Sequence, residues 1–420
     1  MKVYIETYGC SANYNDSEIL AGIASKKHKI ANGIEEADAI IVNTCSVKGR
    51  TESRIRFRLS RISALFPGKR LVIAGCMAEA QKQMLKKLFP NAAFLGPHKL
   101  DRVIDVLSGE NDATGYADIC KPSLPKLSRS KIISIVQIND GCANFCTYCI
   151  TKLAKPRLVS YPAAEIAKQV QAAVDNGFKE VWLTSQDTAA YGLDIGTNLA
   201  KLLKEILKIK GDYKLRIGMM NPQLVKPFLS ELISAYKDEH VYKFLHMPFQ
   251  AASNEVLKHM RRGYTIQQFK AIIAKFRRNI PKITVATDVI CGYPTETEKQ
   301  FDESIKLVKE IKPDVLNISR FWSRPGTEAA LLKQLPGDVL KDRTVRMTAL
   351  ARKISAEKNK KWLGWKGSVL MDELGKGNSL IGRNFAYKQA VLKGASSLLG
   401  KRMEVEIVAS TSNDLRARRI

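Results

Sequence analysis

Between residues 132 and 321 six short apolar runs recur, with amphipathic segments of helical periodicity filling the gaps between them. The runs read IISIVQI (132–138), EVWLTS (180–185), KLRIGM (214–219), VYKFLHM (241–247), ITVATDVI (283–290) and VLNISRF (315–321). Helical patterns lie, for example, at Ala163 to Asn176, Leu224 to Tyr236 and Glu298 to Ile311. A strand that reaches the next one through a helix pairs with it in parallel, in right-handed units. Six such units in succession favour a barrel or part-barrel over an open sheet, and place an active site at the C-terminal ends of its strands.

The first 110 residues show the same alternation on a smaller scale. KVYIET, AIIVNT, RLVIAG and AAFLG predict strands, separated by helices from Asp16 to Lys26, Val47 to Leu65 and Glu79 to Leu88, and followed by one from Lys99 to Leu107. This is the pattern of a doubly wound parallel sheet. Residues 111–130 are polar, contain Gly, Pro and Ser, and predict a linker. A long basic helix, Asp338 to Lys361, leads out of the central unit of residues 131–355. From 356 to 420 the strands GSVLMDEL, SLIGRN, YKQAVLKG and RMEVEIVAS predict a small all-β barrel. The expected fold class is therefore α/β, with a doubly wound unit, a part-barrel of six β/α units and a terminal β-barrel.

Charge narrows the partners. The chain carries 68 Lys+Arg against 41 Asp+Glu, a formal charge of +27. An excess of that size gathers polyanions, of which nucleic acid is the common cytosolic one. A merely Lys-rich surface is the alternative that charge leaves open. No apolar stretch approaches the roughly 18 residues of a membrane span. The opening MKVYIETYGC has no apolar secretory core. A cytoplasmic protein without membrane attachment is expected.

Eight cysteines in a reducing compartment do not imply disulfides. Cys142, Cys146 and Cys149 form CxxxCxxC just after the first barrel strand. Three thiolates in so short a loop can hold one corner of an iron–sulfur cluster. Structural zinc would want a fourth Cys or His nearby, and none occurs within 20 residues on either side. Cys10, Cys45 and Cys76 each follow a strand of the first sheet, at the edge where doubly wound folds gather ligands. They predict a second three-cysteine cluster, again with one iron open. Cys120 and Cys291 read as structural.

These motifs resemble the methylthiotransferase family of radical S-adenosylmethionine (SAM) enzymes. ETYGCSANYNDSE, NTCSVKGRTES and AGCMAE are similar to the family's auxiliary-cluster motifs, and INDGCANFCTYCI, LHMPFQAASNEVLKHMRRGYT, TDVICGYPTETEKQFDES and SRFWSRPGTEAA follow in the family's order. The terminal barrel resembles the TRAM module. TSQDTAAYGLDIG, RIGMMNP and CITKLAKPRLVSYP lean toward the archaeal and eukaryotic tRNA enzymes.

The resemblance implies two 4Fe-4S clusters, SAM as co-substrate, and 2-methylthiolation of N6-threonylcarbamoyladenosine (t6A) at position 37 in the anticodon stem-loop of tRNA. One cluster would yield a 5′-deoxyadenosyl radical that takes the hydrogen from C2 of adenine, and the other would present the sulfur. The alternatives are N6-isopentenyladenosine in tRNA, an aspartate of a ribosomal protein, or an RNA-binding protein with structural clusters. The electron donor stays open, and a monomer is expected.

Tyr148, Gln186, Gln250, Arg261 and Gly292 are the candidate SAM contacts, with Asp187 and Arg262 beside them. Arg324 is a candidate on the substrate side, and His246 reads as structural or loop-orienting. Lys48, Arg50, Arg54, Arg56, Arg58 and Arg61 form either a solvated face or a phosphate-contacting one. Residues 357–420 hold 13 Lys+Arg and 6 Asp+Glu, which favours RNA.

Overall fold

The computed structural model describes residues 1–47 and 49–420, so Lys48 of the basic helix lies outside the described residues. The first unit is a six-stranded parallel sheet. Its strands are β1 (Lys2–Thr7), β2 (Lys29–Ile30), β3 (Ala39–Thr44), β4 (Arg70–Gly75), β5 (Ala93–Leu95) and β6 (Asp112–Ala113), in spatial order β2-β1-β3-β4-β5-β6. All six residues of β3 are buried, as a central strand covered on both faces requires. Ala39 and Ile41 pack with Ile19 and Val103 on one face, while Ile40 and Val42 pack with Ile55 and Leu59 on the other.

Helix α1 (Ser11–Ala24) starts directly after Cys10, five residues before the predicted start. The polar run SANYN hid it: these side chains bond across the strand ends instead of to water. Helix α2 (Gly49–Leu65) ends where expected, while Val47, the expected first residue, lies before it. The helix predicted from Glu79 is two short ones, α3 (Cys76–Ala80) and α4 (Lys82–Leu88).

Strands β7 (Ile133–Gln137), β10 (Glu180–Thr184) and β11 (Lys214–Ile217) form one parallel trio, with β8 (Asn139–Asp140) and β9 (Val159–Ser160) as a small side pair. Strands β12 (Phe244–His246), β13 (Thr284–Cys291) and β14 (Val315–Arg320) form a second parallel trio. A parallel bridge from Leu215 to Val241 joins the two into one six-stranded part-barrel. The helix expected from Leu224 is broken, because Pro227 interrupts it; a full helix runs only from Leu229 to Lys237. Helix Glu298–Ile311 has the predicted bounds and a Thr297/Gln300 capping box.

Helix Gly337–Lys360 packs along β14 and crosses the expected boundary at 355/356. The terminal unit is a closed barrel of β15 (Lys366–Leu374), β16 (Ser379–Arg383), β17 (Gln389–Lys393), β18 (Arg402–Ser410) and β19 (Leu415–Arg419). β19 escaped prediction because LRARR is mostly charged; Leu415 is its one fully buried residue. No described helix is long and apolar enough to cross a membrane.

Residues 111–130 behave differently from a free linker. β6 extends the first sheet, and the chain then lies so close to α1 that a Cβ on Gly22 would meet Pro125 O at 2.5 Å. Two lysines of this stretch are drawn inside. Lys121 Nζ stands 2.8 Å from Asp16 Oδ1 and 3.0 Å from Asp140 Oδ2, while Lys155 Nζ stands 2.5 Å from Asp140 Oδ1. Lys126 pairs with Glu18 at 3.0 Å. Burial alone would push the Asp140 carboxyl up, but Lys121 and Lys155 hold it well below the usual carboxylate range. His98 completes the group, 3.7 Å from Asp140, with its pKa lowered by burial.

These charges join the first sheet, the connecting stretch and the part-barrel. Removing one partner of a buried pair strands the other's charge. Lys121→Met should therefore cost about 3–5 kcal/mol in urea unfolding, and adding Asp16→Asn should recover much of that loss.

Candidate active site

The C-terminal edges of the first sheet and the part-barrel face each other. Ser11 Oγ, next to Cys10, meets Thr184 Oγ1 at the end of β10 at 2.5 Å. Asn15 Nδ2 reaches Gln137 Oε1 at the end of β7 at 3.5 Å. Helix α3, which starts at Cys76, packs on the short helix Thr151–Ala154 that follows Cys149. The two cysteine trios therefore occupy one interface.

In the first trio, Gly9 has φ +123°, and a Cβ there would stand 2.7 Å from Cys45 Cβ and 3.0 Å from its Sγ. Only glycine lets the Cys10 turn approach Cys45 so closely. Burial, then the neighbouring Cys10, pushes the Cys45 thiol up to about 11. Burial pushes Cys76 up further; Lys155 opposes this, while Cys45 and Cys10 add to it. The three sulfurs thus act on one another. Asn13, which the sequence reading passed over, accepts from Cys10 Sγ at 3.4 Å and donates to Thr44 O at 2.8 Å. Its backbone carbonyl accepts from Asn43 Nδ2 at 2.8 Å. A polar run directly after a strand was the available signal.

The second trio lies on the loop after β8. Gly141, at φ +71°, passes so near Arg157 that a Cβ would fall 1.7 Å from its carbonyl oxygen. Asn144 donates through its backbone N and Nδ2 to Cys142 Sγ, at 3.4 and 3.3 Å. Arg262 Nη1 donates to Cys146 Sγ at 3.5 Å. Burial, then Asp187, pushes Cys142 up to about 12, and burial, then Cys146, raises Cys149. Asp187 takes hydrogen bonds from Asn144 Nδ2 and the Asn221 amide, each at 3.1 Å. Its own pKa is pushed up to about 6 by burial, against those bonds and Arg262.

Each set offers three soft donors, and among the described residues no histidine ring pairs with either. No three Cys, His, Asp or Glu side chains among the described residues converge on a single ion. Such donor sets suit iron–sulfur clusters with one iron left open.

The remaining candidates divide. Tyr148 is packed between Cys146, Arg262 and Tyr264, and burial raises its pKa strongly. Gln186, two residues beyond β10, has a buried Oε1 with no partner among the described residues. Gln250 holds a left-handed φ of 65°, and its N donates to Asp288 O at 2.8 Å. A non-glycine residue in that region is held there by its surroundings. Arg261 turns outward to Glu328 at 2.5 Å, both exposed, so Arg262 is the arginine that reaches the cysteine loop.

Gly292 packs against the long helix, where a Cβ would meet Leu340 at 1.9 Å, and its N donates to Glu296 at 2.8 Å. Arg324 is buried and pairs with Glu52 of α2 at 2.5 Å, within electrostatic reach of both Cys45 and Cys149. On α2, Arg58 is tied to Glu6 at 2.9 Å, whereas Arg50, Arg54 and Arg61 are exposed. Cys120 accepts from Ser123 Oγ, and Cys291 is buried at the end of β13.

Fold and site together define a radical SAM enzyme with a second cysteine-bearing unit. Residues 136–308 match the model of the Radical SAM superfamily, and residues 2–96 match Uncharacterized protein family UPF0004. The chain is 40% identical to the probable threonylcarbamoyladenosine tRNA methylthiotransferase of Pyrococcus horikoshii, over 98% of both chains. It is 36% identical to the human threonylcarbamoyladenosine tRNA methylthiotransferase, over 97% of this chain and 72% of that one. Among solved structures, the radical SAM methyltransferase TsrM of Kitasatospora setae superposes with a TM-score of 0.58 at 14% identity, over 78% of this chain and 77% of that one. The chain belongs to the threonylcarbamoyladenosine tRNA methylthiotransferase family, whose cofactors are iron–sulfur clusters and SAM.

Gly9→Ala should force Cys45 aside, at a cost of about 1–3 kcal/mol in stability. In metal-free protein, iodoacetamide should then label Cys45 faster than in the wild type, as read by peptide mass spectrometry.

Proposed function

We propose that this chain converts t6A beside the anticodon of tRNA into its 2-methylthio derivative by radical SAM chemistry. The observation that carries the reading is the meeting of two thiol trios at one interface, since this reaction needs a radical and a sulfur at the same adenine. Cys142, Cys146 and Cys149 would hold the SAM-binding 4Fe-4S cluster, and Cys10, Cys45 and Cys76 the auxiliary one. When bound, these groups supply a 5′-deoxyadenosyl radical and the sulfur to be transferred.

The chain's own residues would position that chemistry. Asn144 and Arg262 fix the sulfurs of the cysteine loop, and Asp187 fixes Asn144. Tyr148, Gln186 and Gln250 lie on the same edge as contacts for SAM, with Arg262 in the place first given to Arg261. The net charge of +27, the exposed arginines of α2 and the basic terminal barrel suit an RNA substrate.

Anaerobic reconstitution should load about eight irons per chain, as two cubanes require, and about four in Cys45→Ala. Cys146→Ala should abolish cleavage of SAM under dithionite. Cys45→Ala should keep that cleavage and stop formation of the methylthio nucleoside. Equal loss in both folded variants would refute the division of labour. Reconstitution should also shield all six cysteines from alkylation while leaving Cys120 reactive. Nucleoside mass spectrometry of tRNA from a deletion strain reads the substrate: an unchanged profile would point to a protein target instead.

A further inference from the structure

The part-barrel interior holds charge that neither cysteine trio uses. Branched apolar side chains fill the interior of a closed barrel of this type. Here Leu215, Leu245 and Val285 face the helices, and the positions of opposite parity face inward. Those positions carry Trp182 in register with Arg216, Phe244 with Thr284, and Asp288 with Asn317. Arg216, Phe244, His246 and Asn317 line a cavity of about 470 Å³, which the long helix and the terminal barrel help to enclose.

Of the two lining arginines without an ion pair, Arg216 and Arg352, Arg352 is exposed and Arg216 is half-buried among rings. Its guanidinium lies 4.8 Å from the Trp182 ring centroid and 5.4 Å from those of Phe244 and Tyr387. Its Nε is buried without a hydrogen-bond partner, and it forms no ion pair within 4.0 Å among the described residues.

The acids nearby are engaged elsewhere. Glu180 accepts from Tyr242 Oη at 3.1 Å and from Trp182 Nε1. Asp288 Oδ2 meets His246 Nε2 at 2.5 Å. Two further cations are engaged: Arg383 pairs with Glu373 at 3.0 Å and Lys388 with Asp314 at 3.0 Å. A half-buried guanidinium caged by rings, with an Nε that no group accepts from, has lost hydration that the chain returns only in part.

Strand register relates Arg216 to the cysteines. Arg216 is in register with Trp182 of β10. Two residues on, about 7 Å along the strand, Thr184 meets Ser11 beside Cys10. His246 ends β12, Asp288 and Asn317 lie in the middle of β13 and β14, and Asn317 Nδ2 stands 3.5 Å from His246 Nε2. The substrate proposed above carries a threonine on N6 of its adenine, joined through a carbamoyl group and ending in a carboxylate.

We propose that Arg216 binds this carboxylate inside the part-barrel, and that the cavity is the pocket that selects an adenosine with an anionic N6 substituent. His246 with Asp288, and Asn317, provide the polar rim for its hydroxyl and carbamoyl groups. The inference rests on the t6A reading and adds to it the residue that recognises the modification.

The test compares binding of the reconstituted protein to two anticodon stem-loop RNAs, one carrying t6A and one carrying unmodified adenosine at the same place. The wild type should favour the t6A RNA. Arg216→Met should lose that preference, weakening t6A binding roughly tenfold to a hundredfold with the unmodified RNA unaffected. Arg216→Lys, which keeps the charge without the fork, should weaken the preference in part, and it carries the test if the methionine variant does not fold.

Equal weakening toward both RNAs with a lowered Tm would mean that Arg216 only seats Tyr387 of the terminal barrel, and would overturn the proposal. So would an Arg216→Met variant that keeps the preference. A wild type without preference, in cells whose deletion strain still loses methylthio-t6A, would overturn the pocket and leave the proposed function standing. Loss of no methylthio nucleoside in that strain would instead sink the function.

Discussion

Everything at the interface depends on the buried cluster of Lys121, Lys155, Asp16, Asp140 and His98. Two lysines and two aspartates nearly cancel in a space closed to water, and burial holds His98 toward its neutral form. Such a group is a poor source of stability compared with apolar packing, because each ion must first shed its water. It is a good source of register. Asp140 precedes Gly141 and Cys142, Lys155 follows the loop of the second trio, and Asp16 follows Cys10 on α1. A shift of one unit against the other would strand several charges at once, so the two trios are locked at one spacing.

A second bridge works across the same gap. Arg324 leaves the last barrel strand and meets Glu52, seven residues beyond Cys45, while a Cβ at Gly49 would strike the Trp322 ring at 2.5 Å. The ionic cluster acts on Cys76, and this pair lies within electrostatic reach of Cys45 and Cys149. Chemistry that passes an atom between two centres tolerates little drift in their separation. The structure meets that need with charges that cannot be left unpaired.

The strands and their order were legible in the sequence because apolar periodicity reports burial directly. So was the shared sheet edge of Cys10, Cys45 and Cys76, since residues that each follow a strand of one parallel sheet come together there. Polar side chains that bond inside the protein were not legible. Residues 111–130 looked solvated, yet Lys121 and Lys126 are buried against carboxylates far away in sequence. The first turn of α1 was obscured by SANYN, and β19 by its arginines. Arg261 and Arg262 were indistinguishable as letters; the left-handed φ of 54° at Arg261 sends one outward and the other to Cys146.

The terminal barrel has a part beyond adding positive charge. Tyr387 reaches into the part-barrel, where its ring lies 4.8 Å from Tyr242 and 5.0 Å from Phe244, and Lys243 N donates to Phe385 O at 2.8 Å. It thereby closes the floor of the cavity that holds Arg216. A part-barrel of six strands has neither the closure nor the side-chain filling of the eight-stranded form, so its interior would otherwise be open to water. A guanidinium–carboxylate contact in open water would be worth little; beside an aromatic wall that displaces part of that water, the same contact gains strength. If the terminal barrel binds RNA as proposed, substrate recognition inside the part-barrel and RNA binding outside it would be linked through one module, because the basic unit also supplies an aromatic wall of the pocket.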